Sequence, residues 1–545
     1  MQSTTWILRI NQEKGFYLHS LQFSQLERRK KKLHCQRIAF AVGVLLLAMG
    51  TSAQEAPSQK PTLLASVEGP ITGGDHDQPF GAPAHVPDAY VMQEYFLSGI
   101  ATAYEPAGRW GPDGIWEAKP TIGTHYHVRM LVLRPTDARR FNGIVVVEWL
   151  NVSAGFEGAA DYVHMNAELT REGYAWVGIG AQAVGVNAPK TGLKAWDARR
   201  YGSLVQPGDA WSYDIFSQAG RALRALATTI PLQGLRVRKL LATGRSQSAQ
   251  RLLTYVNAVH PAARVYDGFL IHDRGAYAAA SGDGYLLNDG GSPATARVRA
   301  DLDAPVLELQ TEYDVLSGRA YLTRQAPSAR YRRWEVAGAS HAEIPIWVVE
   351  PRLPLDLGPG CKDPVNTAPQ HAVVKAALHA LMRWSQTGIA PRQSSDIKLS
   401  DSTDFPVAVR DQYGNAKGGI RLPELEAPTA ALDGRPNTAL QSSTPYRCAT
   451  FGHTVVFDKQ ILASLYPTHE AFVRRFRNAV RRIVRDGFWL RPEANEALRA
   501  AQRSLIGRLS DPVHTHKLKP CRPSPGHAKF PFQRHSNPPN QPVAE

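Results

Sequence analysis

Apolar and polar positions along the 545-residue chain follow two periods. Gly143-Ile144-Val145-Val146-Val147-Glu148-Trp149-Leu150 is an almost unbroken β-branched run, the mark of a strand buried on both faces of a parallel sheet. Further strands are read at Tyr174–Ile179, at Leu240–Ala242 before a sharp turn, and at Val265–Ile271, Pro305–Gln310 and Tyr331–Val336. Between and after them the apolar residues take helical spacing: Tyr162–Glu172, Tyr213–Ala227, Leu252 to Val259, His371–Gln386 and Pro467–Arg485. This alternation predicts an α/β fold with a doubly wound, mostly parallel sheet. Thr62 to about Pro135 is β-rich, with a partly alternating run over Tyr126–Leu133. Gly180–Gly208 reads as one long loop, and residues 276–300 show no clear period. Pro261 is expected to stop the helix that begins near Gln247. The C-terminal third, including Gly-rich Asp411–Pro423, is expected to pack on the sheet and wall a crevice.

The two ends do not fit this pattern. Arg28 to Lys32 and Arg37 precede a 13-residue apolar run, Ile38–Gly50, and then Thr51-Ser52-Ala53. This is the layout of an export signal cleaved after Ala53. Thirteen residues span about 20 Å as a helix, too short to cross a membrane, and no cysteine follows to carry a lipid. The reading is a signal over 1–53, one folded domain with its C-terminal extension over 54–503, and a basic, Pro-rich, disordered tail over 504–545. A soluble mature protein, periplasmic or extracellular and without a stable membrane anchor, is expected to begin near Gln54. The formal net charge of +15 belongs mostly to the ends: residues 1–37 carry +6 and 501–545 carry +5. The middle shows no basic stripe and no nucleic-acid motif. Of four cysteines, Cys35 lies in the signal and Cys521 in the tail. An oxidising compartment then predicts a Cys361–Cys448 bridge. No cysteine or histidine spacing suggests a zinc site.

The chemistry starts at Gly244-Arg245-Ser246-Gln247-Ser248, between an apolar strand and an amphipathic helix. A serine on so sharp a turn is forced into a strained conformation that pushes its Oγ off the sheet's edge. The residues two before and two after must be small, because strand and helix nearly touch. The first helical turn brings the Gln247 N–H to the nucleophile as an oxyanion donor. Downstream, Asp314 and then His341 follow later strands, giving the order Ser, acid, His. Serine needs a base to take its proton, imidazole is the base of suitable pKa, and a carboxylate fixes the imidazole's tautomer. Glu312 is the rival for the acid. The shorter Asp has less side-chain freedom to lose. His272, beside Asp273 after an earlier strand, reads as pocket wall together with Arg274, with metal binding as the rival for the His272–Asp273 pair.

The segments GRSQSAQRLLTYVNAVHP, VVVEWLNVSAGFEG, PVLELQTEYDV, VAGASHAE and FGHTVVFD resemble the alpha/beta-hydrolase superfamily over roughly 62–500. More narrowly, the chain resembles a family of large, often exported bacterial alpha/beta-hydrolase-domain proteins. The resemblance implies a serine esterase without metal or organic cofactor. It favours Asp314, nine residues beyond Pro305, as the acid. Two features depart from the superfamily pattern. Ser248 replaces the second elbow glycine, and no HGGG-type oxyanion motif is present. The equivalent loop, Asn151-Val152-Ser153, offers the N–H of Asn151 or Val152 as second donor. Trp149, Phe156, Trp176 and Tyr313 near the crevice suggest an apolar or ring-bearing small-molecule ester. The expected activity is ester cleavage through an acyl-enzyme on Ser246. An acyltransferase with the same triad and a catalytically silent binding protein are the alternatives.

Overall fold

The computed structural model describes residues 65–83, 86–225, 231–279, 293–343, 360–402, 405–440 and 445–508. The export signal and the tail beyond 508 lie outside the described residues. Nine strands form one sheet: β1 Ser66–Glu68, β2 Tyr90–Pro106, β3 Ala118–Pro135, β4 Ile144–Trp149, β5 Ala175–Ile179, β6 Lys239–Arg245, β7 Gly268–His272, β8 Val306–Thr311 and β9 Tyr331–Val336. Their spatial order is β1-β2-β3-β5-β4-β6-β7-β8-β9. β1 to β3 and the β3–β5 contact are antiparallel; every pair from β5 through β9 is parallel. The expected α/β architecture with a β-rich N-terminal part is therefore present.

Alternation along β4 shows how the sheet gains two dry faces. Ile144, Val146 and Leu150 enter one core with helices Ala160–Arg171 and Gln370–Thr387. Val145, Val147 and Trp149 enter the other, with helices Ser212–Arg224 and Gln247–Thr254. Burial on both sides removes apolar surface worth about 25 cal/mol per Å², which is why β4 reads as an almost continuous apolar run. The order reverses at β4, with β5 on one side and β6 on the other. Ligand crevices in such sheets open at this point, beyond the strands' C-terminal ends.

Several elements differ from the sequence reading. Gly180–Gly208 is not one loop; it holds the short helices Ala183–Asn187, Leu193–Trp196 and Ala198–Tyr201. Pro261 does not stop the elbow helix. The chain widens into a π-helical turn over Tyr255–Val259 and continues over His260–Ala263, ending at Arg264 in a left-handed conformation (φ 48°). There Pro261 falls in the first turn of a new segment, where its missing N–H leaves no bond unmade. Residues 504–508 pack back on the domain, with the Ile506 carbonyl 2.9 Å from His469 Nδ1. Helix His469–Arg485 exposes Arg474, Arg475, Arg481, Arg482 and Arg485, a basic face hidden in the mild average charge of the middle segment. Cys361 and Cys448 are bonded, with Cα atoms 5.5 Å apart. Among the described residues no helix is long and apolar enough to cross a membrane.

Candidate active site

Ser246 stands at the end of β6 with φ 59° and ψ −121°. This is a costly region for a residue with a Cβ, held here by the Ser246 N–H donating to the His272 carbonyl (2.8 Å). A Cβ on Gly244 would lie 2.9 Å from the Ser248 carbonyl oxygen and 3.0 Å from its carbon. Strand and helix backbones do touch there. Ser248 does more than stay small: its Oγ donates to the Arg245 carbonyl (2.9 Å) and accepts from the Arg245 N–H (3.0 Å). Gly244→Ala should therefore push the helix start away, costing about 1–3 kcal/mol. Thermal unfolding against the wild type, with the kcat of the surviving fold, measures it.

Three side chains from three strand ends meet in a line. His341 Nε2 lies 2.9 Å from Ser246 Oγ, and His341 Nδ1 lies 2.8 Å from Asp314 Oδ1. Asp314 and Thr311 follow one another in a short turn: Thr311 Oγ1 caps the turn at the Asp314 N–H (3.3 Å) and also bonds Asp314 Oδ2. Burial on its own would lower the His341 pKa. The charge and hydrogen bond of Asp314 and the charge of Asp273 outweigh it, so the imidazole sits above its ordinary 6.5. Burial would raise Asp314, but the imidazole's charge, the bonds from His341 and Thr311, and Arg245 hold it below its usual range. Glu312 takes another post. It accepts from the Gly338 N–H (2.8 Å) and pairs with Arg410 (2.6 Å), bracing the loop that carries His341.

At the switch point the Asn151 N–H is already spent on the Gly158 carbonyl (2.9 Å), and its side-chain amide donates to the Arg245 carbonyl (2.9 Å). This corrects the expectation that Asn151 could be an oxyanion donor; it ties the loop to the elbow instead. No hydrogen bond among the described residues takes the N–H of Val152 or of Gln247, at the first position of its helix. The Gln247 side chain is anchored through Gln182 Oε1 (3.0 Å), which also accepts from Trp149 Nε1 (3.2 Å).

The expected pocket wall divides. Tyr313 is half-buried with its ring 5.5 Å from the His341 ring. Phe156 is half-buried and edges onto Phe80 (5.8 Å). Trp149 and Trp176 are wholly buried core residues, Trp176 donating to Glu148 (2.9 Å). Arg274 is equally buried and pairs with Glu308 (2.7 Å). His272 is sealed behind the site, 2.6 Å from Asp161. These four belong to the frame, because each is fully buried and its polar atoms are paired inside the protein.

Sequence reasoning passed over the residues that join this frame to the triad. Buried Arg245 donates through Nε to Asp273 Oδ2 (2.9 Å) and through its other end to the His341 carbonyl. Gln370, from the C-terminal extension, donates to Asp273 Oδ2 (2.9 Å) and lies 3.0 Å from His272 Nε2. The signal for Arg245 was its place inside the elbow. Gln370 had none, being a polar residue at a helix start far along the chain. Asp273, Asp314 and His341 bring potential ligand atoms within 4.8 Å of one another. Both imidazole nitrogens are already engaged, by Asp314 and Ser246, so a cation there would compete with the serine.

The family model described as "Alpha/beta hydrolase domain" matches residues 67–499. No curated protein sequence matches the chain. Among solved structures, the chain is similar to a putative dienelactone hydrolase from Klebsiella pneumoniae subsp. pneumoniae: 14% identity, 53% of this chain and 99% of that chain covered, TM-score 0.27. It is also similar to an esterase from Rhizomucor miehei (13%, 53% and 85%, 0.27) and to an alpha-beta serine hydrolase homologue from Coxiella burnetii (12%, 40% and 84%, 0.25).

Proposed function

The chain belongs to the alpha/beta hydrolase domain family, and from that premise we propose that it is a serine hydrolase that cleaves a carboxylic ester through an acyl-enzyme on Ser246. The observation that carries this reading is the unbroken line Ser246 Oγ–His341–Asp314, at 2.9 and 2.8 Å. In this reading His341 Nε2 takes the serine proton as Oγ attacks the ester carbonyl. Asp314 holds the proton on Nδ1 and stabilises the imidazolium. The negative oxygen is received by the N–H groups of Gln247 and Val152, donors left over by the rest of the fold. The imidazolium then protonates the leaving alcohol, and a water repeats the sequence to free the acid. Half-buried Phe156 and Tyr313 favour an apolar or ring-bearing ester.

A fluorophosphonate probe tests the class, since it bonds only an activated serine. The wild type should label at one peptide, containing Ser246, and Ser246→Ala should not label. Absence of label on folded wild type would favour a silent binding protein. Acyl transfer would show as an alkyl ester product when a second alcohol is supplied. Export is part of the same proposal: the leader pattern and the Cys361–Cys448 bond both suit an oxidising compartment. N-terminal sequencing of the exported protein should read from about Gln54.

A further inference from the structure

Asp273 follows the last residue of β7 and holds a left-handed backbone, φ 55°, a conformation uncommon outside glycine though tolerated by Asp. Its N–H is fixed to the Leu309 carbonyl at 2.8 Å. Its carboxylate is buried and unevenly used. Oδ2 accepts from Arg245 Nε and from Gln370 Nε2, both at 2.9 Å. Oδ1 makes no hydrogen bond among the described residues. An under-bonded buried carboxylate costs free energy, and this one lies in the 4.8 Å grouping with Asp314 and His341. It makes no hydrogen bond to the imidazole among the described residues; its reach to His341 is by charge, and through the Arg245 guanidinium that grips the His341 carbonyl.

Resting on the serine-hydrolase reading, we propose that Asp273 is a positioning residue of that site, fixing His341 through Arg245 and supplying a second negative charge that favours the imidazolium. The groups facing it are His272 on the strand before it and Arg245 on β6; Asp161 and His164 on helix Ala160–Arg171 stand behind, against His272. Asp314, His341 and Gln370 complete the ring. Arg245 opposes the imidazolium, while Asp314 and Asp273 favour it, in agreement with the raised His341. A general base must be neutral to work, so a raised imidazole places the acid limb of activity at higher pH. Removing the Asp273 charge must move that limb to lower pH.

The test is the rate of Ser246 labelling by a fluorophosphonate across pH, on the full chain. In Asp273→Asn the ratio of the rate at about pH 5.5 to the plateau should rise about fivefold to tenfold over the wild type. The plateau itself should fall roughly tenfold to a hundredfold as the Arg245 grip loosens. Asp273→Glu restores the charge and should return the limb to the wild-type position. If Asp273→Asn does not fold, Asp273→Ser removes the same charge and reads the same limb. A loss of rate with the limb unmoved would mean a merely structural role and would overturn the proposal. So would a Glu variant whose limb moves with the Asn variant. Wild type that folds but does not label would overturn this proposal and the hydrolase reading together, whereas labelling with an unmoved limb would overturn this one alone.

Discussion

Asp314→Asn should lower kcat by up to about 10⁴ and leave the fold intact, while Glu312→Gln should leave kcat within about tenfold and weaken the fold. The first half follows from the tautomer. Asp314 Oδ1 accepts the Nδ1 proton of His341 at 2.8 Å; an amide there can offer an N–H instead, turning the imidazole so that Nε2 no longer accepts from Ser246. The magnitude is that of the comparable change in serine proteases. The second half follows from what Glu312 touches. Its oxygens face Arg410 at 2.6 Å and the Gly338 N–H at 2.8 Å. The Gln variant gives up the charge of a buried pair, at a cost of about 1–3 kcal/mol. Steady-state kinetics on a model ester and thermal unfolding of both variants separate the two. Loss of activity in Glu312→Gln with Asp314→Asn still active would exchange their roles.

Breaking the Cys361–Cys448 bond is the largest expected loss of stability. The two cysteines are 87 residues apart. Cross-linking a loop of that length removes denatured-state entropy worth on the order of 4 kcal/mol. The bonded segment contains the helix Gln370–Thr387 and the strand Ala430–Asp433, so the penalty falls on the extension that supplies Gln370. Cys361→Ser with Cys448→Ser should unfold at clearly lower denaturant than the wild type, with the denaturant slope rising as the open chain exposes more surface. An unchanged midpoint would mean that the loop is held by packing alone.

The parts of this molecule that could be read in the sequence share a physical reason. β4 announces itself because burial on both faces leaves it apolar apart from Glu148. Ser246 announces itself because a strained turn between backbones in contact demands Gly244 before it and a small residue after it. Asp314 and His341 follow because strand ends are where side chains converge. What was missed depends on long-range geometry. Whether Trp149 lines a pocket or fills a core is a question of which face its strand register presents, and the register put it with Tyr213 and Phe216. Arg274 and His272 look functional because polar residues rarely sit so deep, yet each is paired within the frame. Asn151 was a fair choice until its N–H proved to be committed to Gly158, seven residues on.

Helix Gln370–Thr387 packs on β7 and β8 on one face of the sheet, where Val373, Val374, Ala377, Leu378 and Leu381 join the core. Seen in time rather than in space, that helix is a late arrival. A ribosome adds roughly 5–20 residues per second, so the triad residues are all made before the helix that closes their sheet. Until then helix Ala160–Arg171 is present on that face, but β7 and β8 lack their cover. Gln370, which joins Asp273 and His272, is missing until the same moment. One stretch of synthesis thus supplies both the apolar cover of β7 and β8 and the glutamine that completes the surroundings of the site.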